Sequence, residues 1–229
     1  DGISVLMVLL TSILACASIF YYLNEKNVSI AFLALMLVLE AGILGVFMAL
    51  DTVLFYVFWE VMLIPAYFLI GLWGEGDRIY ATTKFVIFTL VGSLLMLVAI
   101  IGVTVVHYEA THILTFDIQT LIHTDIPKDK QIWMFLCFFL AFAIKIPVFP
   151  FHSWLPHAYG ACPIPVLVLL TGAMSKTGAY GLIRFCLPLF PEAAEMMGFV
   201  IAGMAATGMV YGAWIALAQK DIKSLIAYS

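Results

Sequence analysis

The sequence predicts an all-α polytopic membrane protein, one transmembrane bundle over residues 1–229, on three observations. Hydrophobic residues make up 65% of the 229 and charged residues only 10%, with a mean hydropathy of +1.13, far from the roughly half-apolar, quarter-charged mix of soluble domains. Apolar stretches long enough to cross a hydrocarbon core about 30 Å thick recur along nearly the whole chain. None of them alternates as the short strands of a membrane barrel would, and lipid offers backbone groups no water, so each must be a helix.

Seven spans follow in order: Ile3 to Leu23, Ser29 to Leu50, Thr52 to Trp73, Ala81 to His107, Ile132 to Pro150, Ile164 to Leu187 and Met196 to Ala218. The first four are long apolar runs. The fifth runs into Lys-Ile-Pro-Val-Phe-Pro-Phe-His-Ser-Trp-Leu-Pro, from Lys145 to Pro156. There Pro147 and Pro150 each remove an amide donor and clash with the preceding turn, so the helix must break. Gly172, Gly178 and Gly181 mark the sixth span as a close-packing helix, as do Gly203, Gly208 and Gly212 the seventh. An eighth span begins at Ile222. The chain opens on Asp1 rather than Met and closes at Tyr228-Ser229 just inside that span, so it reads as a fragment.

Charge and cysteine content exclude several function classes. A net charge of −4 and the lack of any basic cluster beyond Lys220, Asp221 and Lys223 argue against a nucleic-acid partner. The four cysteines, Cys16, Cys137, Cys162 and Cys186, stand singly without a Cys-x-x-Cys pair and read as small packing residues. The connection Tyr108 to Gln131 is too varied for a linker and reads as a folded periplasmic loop. His107 just before it and His112 and His123 within it are too widely spaced for a metal site and read as solvated. Lys26, Arg78, Lys84, Lys220 and Lys223 fall on one side of the spans. Lys128, Lys130 and Arg184 fall on the other, beside Asp117, Asp125, Asp129, Glu192 and Glu195. The first side is therefore expected to be cytoplasmic.

The residues that carry chemistry are charges where charges are costly. Glu40 lies inside the second span, Glu60 the third, Lys145 the fifth and Lys176 the sixth. At bilayer centre each costs roughly 2.5–3.5 kcal/mol on insertion scales, so two acids and two bases in one small bundle suggest mutual compensation. Glu60 and Lys145 read either as a static pair pinning two helices or as members of a proton relay. Lys176, flanked by Ser175 and Thr177, has no obvious acid of its own unless Glu40 or a residue outside this stretch of chain supplies one. Broken helices at membrane depth line protein-buried or wet cavities, and transporters place ion sites there. His152, just past the break, is therefore a candidate to pass protons.

Lys145 to Pro156 (KIPVFPFHSWLP), Leu170 to Phe185 (LTGAMSKTGAYGLIRF), Gln219 to Ser229 (QKDIKSLIAYS), Asp1 to Ser4 and Phe58-Trp59-Glu60 together resemble the antiporter-like membrane subunits of respiratory complex I, NADH:quinone oxidoreductase. The resemblance covers essentially the whole chain and points to the subunit M branch, the counterpart of mitochondrial subunit four. Arg184 to Ala193 (RFCLPLFPEA) is similar to bacterial versions, which implies the bacterial inner membrane rather than the mitochondrial one. The sequence departs from the family after Trp-Leu-Pro. The usual Asp-Ala-His and Ala-Pro are replaced by His157-Ala158-Tyr159 and Ala161-Cys162-Pro163.

The resemblance implies an antiporter-like bundle of two inverted repeats, each with a broken helix and a buried lysine. The first repeat would be present at about residues 29–187 and the second mostly missing. It implies that Glu60 pairs with Lys145 on the broken helix and that Lys176 leads toward the centre of the proton path. Glu40, His152 and Lys84 stand as accessory candidates. The implied function is proton translocation, as a non-redox subunit of an oxidoreductase, beside sibling membrane subunits in the lipid bilayer. No cofactor motif or metal-ligand cluster is visible. Coupling would be electrostatic: unit charges 4 Å apart at an effective dielectric of 20 interact by about 4 kcal/mol, enough to decide whether a proton is held or released. The rival readings are a subunit of a multi-subunit cation/proton antiporter or membrane-bound hydrogenase, which share these motifs, and a non-pumping scaffold.

Overall fold

Short polar side chains start four of the first five helices. Asp1, Ser29, Asp51 and Asp77 accept the backbone N–H groups of Ser4, Phe32, Leu54 and Tyr80, so that the orphan donors of each first turn are met. The helices they open are α1 (Gly2–Leu23), α2 (Ile30–Met48), α3 (Thr52–Val61) with its continuation α4 (Leu63–Trp73), and α5 (Arg78–Thr111). α3 and α4 meet at a bend at Met62 because Pro65 has no N–H for the Val61 carbonyl one turn back. The structure is a computed structural model that describes residues 1–220 and 222–228. Asp221 and Ser229, named above in the Gln219–Ser229 stretch, lie outside the described residues. Among the described residues all regular structure is helical, apart from an isolated antiparallel bridge between Asp51 and Asp117.

Among the described residues, six helices are long and apolar enough to cross a membrane: Gly2–Leu23, Ile30–Met48, Thr52–Trp73, Arg78–Thr111, Ile164–Leu189 and Pro191–Leu217. The expected fifth span, Ile132 to Pro150, is a helix with charged residues at both ends and with bounds other than those expected. α7 (Lys128–Lys145) starts earlier, on charged residues, and stops at Lys145, because the prolines beyond it end the hydrogen-bond ladder. The carbonyls so released find other donors. Val148 N–H donates to Ala143 at 2.8 Å, and the Trp154 indole donates to Ile144 at 2.9 Å. The chain then turns through a cis Phe149–Pro150 peptide into the short α8 (Leu155–Ala161).

Ile164–Leu189 is one crossing built of unequal turns. It consists of α9 (Ile164–Leu169), a π-helical turn at Leu170–Met174, α10 (Lys176–Gly181), a second π turn at Leu182–Cys186, and α11 (Leu187–Leu189). Its glycines pack closely, as expected. A Cβ on Gly178 would stand 2.7 Å from Ile146 Cγ1 and 2.9 Å from the Phe142 carbonyl oxygen, so α10 lies directly on the end of α7. The seventh span is corrected on this point. In α12 (Pro191–Leu217) a Cβ on Gly203 would touch nothing, one on Gly208 would make only ordinary contact with Phe149, and Gly212 alone is tight, 3.2 Å from the Tyr228 carbonyl. Phe199, Met209, Trp214 and Leu217 of α12 are exposed. α13 (Ile222–Tyr228) begins where an eighth span was expected.

Phenylalanines fill the core between α3, α7 and this crossing: Phe55 packs on Phe185 with ring centroids 4.2 Å apart, and Phe138 on Phe142 and Phe190 at 5.9 and 5.7 Å. Cys162 and Cys186 are buried, whereas Cys16 faces outward on α1 and is no packing residue. The ion pairs match the expected sidedness. Lys223 and Glu75 meet at 3.7 Å at one end, and Arg184–Asp1 at 2.8 Å and Lys130–Glu109 at 3.3 Å meet at the other.

The connection between α5 and α7 is folded, as predicted. It carries α6 (Ile118–Leu121) and is tied to the start of α3 by Thr52 N–H to Phe116 carbonyl at 2.9 Å and Ile118 N–H to Leu50 carbonyl at 3.0 Å. His107 is not solvated: it is 6% exposed, and its Nδ1 lies 2.7 Å from the Thr124 hydroxyl. Asp117 caps α6, accepting from the Thr120 hydroxyl at 2.7 Å and the Thr120 N–H at 2.8 Å. These bonds, the hydroxyl first, hold its carboxyl below the usual range. A depressed carboxyl contributes stability above its unfolded pKa, near 3.9, and loses it as pH falls through the lowered value. Nicking of residues 112–127 by an acid protease is therefore expected to stay flat from about pH 6 to about pH 4 and to rise below that. In Asp117→Ala it should be raised throughout.

Candidate functional site

Lys145 is the last residue of α7, and the break there leaves its side chain inside the bundle, 1% exposed. Its ammonium stands over the rings of Trp59, at 5.3 Å, and Phe85, at 5.8 Å. It makes no hydrogen bond among the described residues. Glu60 follows Trp59 on α3, next to the Met62 bend. It acts electrostatically on Lys145, its Oε1 is buried without a hydrogen-bond partner, and no ion pair within 4.0 Å joins the two among the described residues. The expected tight pair is thus open in this structure. Tyr56, one turn before Glu60, interacts with both Glu60 and Ser93 of α5.

Lys176 differs from its expected setting: it is exposed rather than buried. Its ammonium donates to the Thr171 carbonyl at 2.9 Å and lies 3.4 Å from the Ser175 hydroxyl. The π turn explains why, since Ser175 N–H reaches back five residues to Leu170 at 3.0 Å and the widened turn leaves the Thr171 carbonyl to side chains. Single π turns of this kind recur at functional sites.

Lys176 lies at a cavity of about 460 Å³, whose walls include Pro147, Phe149, His152, Tyr159, Ser175 and Tyr211. His152 shares this space. Its ring lies 5.7 Å from Phe149 and 5.3 Å from Tyr211, and its Nδ1 is buried without a hydrogen bond. A second, narrow cavity of about 10 Å³ is lined by Lys145, Trp154, Tyr159, Leu170, Met174 and Ser175. That is close to the least room one water needs. Tyr159 and Ser175 line both cavities and interact with each other.

Lys145, Lys176 and His152 thus line two cavities that share Tyr159 and Ser175, Glu60 acts on Lys145 from outside them, and two accessory candidates do neither. Glu40 is half-buried on α2 and lines neither cavity. Lys84 lies over the Tyr80 ring at 5.6 Å and acts on His157. The sequence reading missed Trp59, Phe85, Tyr56 and Tyr159. Trp59 adjoins Glu60, which was the available signal. Tyr159 stands where the chain departs from its family pattern and puts a phenol between the two cavities.

Comparison with known proteins is consistent with this architecture. A family profile described as NADH:quinone oxidoreductase/Mrp antiporter, transmembrane, matches residues 49–229. NADH-quinone oxidoreductase subunit M of Pseudomonas aeruginosa is 47% identical across 100% of this chain and 46% of its own length. The subunit M of Escherichia coli K12 is 45% identical over the same shares. Among solved structures, respiratory complex I from Thermus thermophilus with bound NADH superposes with a TM-score of 0.86 at 38% identity, covering 100% of this chain and 47% of the matched one. An Mrp complex from Dietzia superposes with a TM-score of 0.83 at 27% identity, over 97% and 24%. The chain spans about half the length of the curated relatives it matches.

The chain belongs to the NADH:quinone oxidoreductase/Mrp antiporter transmembrane family. Within it, the chain groups with the antiporter-like subunits of complex I that carry the name subunit M. Six apolar helices and these bacterial relatives make it a multi-pass protein of the bacterial inner membrane.

Proposed function

We propose that this chain is the part of a proton-translocating membrane-arm subunit in which Glu60, Lys145 and Lys176 relay protons, coupled electrostatically to quinone reduction elsewhere in an NADH:quinone oxidoreductase. Its partners are the other membrane subunits of that assembly, sibling antiporter-like subunits included, and it needs no cofactor of its own. The observation that carries the reading is the pair of cavities that share Tyr159 and Ser175 in their walls, one lined by Lys145 and the other by Lys176. Hydroxyls donate and accept at once, so both can pass a proton without bearing net charge. Glu60 acts on Lys145 at a distance, so a shift of either charge changes how firmly the other holds its proton. His152, on the larger cavity, is a further proton carrier.

Glu60→Ala in the full-length protein, within its assembled oxidoreductase, is expected to lower the proton-pumping rate at least about tenfold in proteoliposomes while quinone reduction by NADH persists. An unchanged proton-to-electron ratio would refute the relay. Greater identity to complex I relatives than to the Mrp structure favours the oxidoreductase over the antiporter reading. Co-purifying subunits test that choice.

A further inference from the structure

The relay leaves one feature unexplained: the buried Lys145 ammonium faces aromatic rings rather than an oxygen. We infer that Trp59 and Phe85 form a second docking place for this ammonium, an aromatic cradle that holds and positions the relay lysine whenever it is not against Glu60. The inference rests on the relay reading above and assigns it two positioning residues.

Ring faces carry partial negative charge and attract cations within about 6 Å of the centroid, tryptophan most strongly and above all where water is excluded. Both rings meet that condition, at 5.3 and 5.8 Å. Lys145 is 1% exposed, Trp59 1% and Phe85 0%. The rings are fixed in place: Trp59 packs on Phe55 at 5.6 Å and Phe142 at 5.5 Å, and Phe85 packs on Trp154 at 5.2 Å. Trp59 also immediately precedes Glu60 on α3. Ring and carboxylate both act on the same ammonium, and a flexible four-carbon side chain moves between them by rotamer changes alone. In this structure the ammonium occupies the ring position. The cradle gives the open lysine a defined location beside the narrow cavity that leads toward Ser175.

The test uses the full-length protein in its assembled oxidoreductase, with the quinone reductase rate as the measure of assembly. W59F and W59Y, which keep a ring face, are expected to pump within about threefold of the parent, and W59L about tenfold below it. Site-specific fluorinated tryptophans at position 59 preserve shape while draining charge from the ring face, so pumping should fall stepwise with each added fluorine. A flat fluorine series, or W59L pumping as well as W59F, would overturn the cradle while leaving the relay standing. If K145A itself pumps normally, the relay fails, and the cradle with it. Should W59L not assemble, the isosteric fluorine series alone decides.

Discussion

Lys145→Met is expected to leave a normally assembled complex whose proton-pumping rate is down at least about tenfold, a barrier or population change of at least about 1.36 kcal/mol. The separation of assembly from activity is what makes the result informative. Lys145 is 1% exposed and its ammonium makes no hydrogen bond among the described residues. Methionine matches the linear shape of the stem and packs well against aromatic rings such as Trp59 and Phe85. Removing one partner of a fully buried ion pair is costly because the other charge is left uncompensated. Glu60, left without its lysine, is only half-buried, which limits the cost of its isolation. A scaffold lysine would therefore be dispensable, whereas a relay lysine cannot be replaced by a side chain that carries no proton. Pumping in reconstituted vesicles, measured beside quinone reduction and the yield of intact complex, separates the two roles.

Gly178→Val should do the reverse and lose the protein from the membrane. A Cβ there would stand 2.7 Å from Ile146 Cγ1, 2.9 Å from the Phe142 carbonyl oxygen and 3.2 Å from Ile146 N. Two of the three contacts are backbone, held at the end of α7 by the Ile146 N–H to Phe142 carbonyl bond at 2.8 Å, and cannot rotate away. Overpacking typically costs 1–3 kcal/mol and more where the backbone must shift. A valine adds two methyls beyond the clashing Cβ. The only relief is to part α10 from α7, which also separates Ser175 from Lys145. The expected outcome is a severalfold drop in assembled complex, judged by membrane yield, with a smaller drop for Gly178→Ala. Gly198→Val, where an added Cβ meets nothing within 4 Å, should assemble normally.

Most of the helices were legible in the sequence because a bilayer imposes a single solution on a long apolar run. The fifth crossing was legible in kind, since Pro147 and Pro150 forbid a continuous ladder, but its end at Lys145 depended on which donors rescued the Ala143 and Ile144 carbonyls. The glycines of the sixth and seventh spans looked alike in sequence. They separated only in space, because close packing needs a neighbour and α12 has little more than Phe149 and Tyr228 beside its glycines. His107 was misjudged for a similar reason: a histidine at a helix end is solvated or buried according to how the following loop folds, and here Thr124 is folded back onto it.

Sequence alone determined the class of the molecule, the division of charges between the two ends of the bundle, and the short set of costly ionisable residues, because hydropathy and the cost of burying charge are properties of the chain itself. Tertiary structure alone decided which of those residues share a space. It left Glu60 and Lys145 without a close ion pair among the described residues, set Lys176 against the Thr171 carbonyl instead of an acid, and brought Trp59 and Phe85 to the Lys145 ammonium and Tyr159 and Ser175 to both cavities. The physical reason is that electrostatic coupling and proton transfer depend on distances of a few ångström between separate helices. Those distances are set by a proline break, a π turn and a glycine contact acting together.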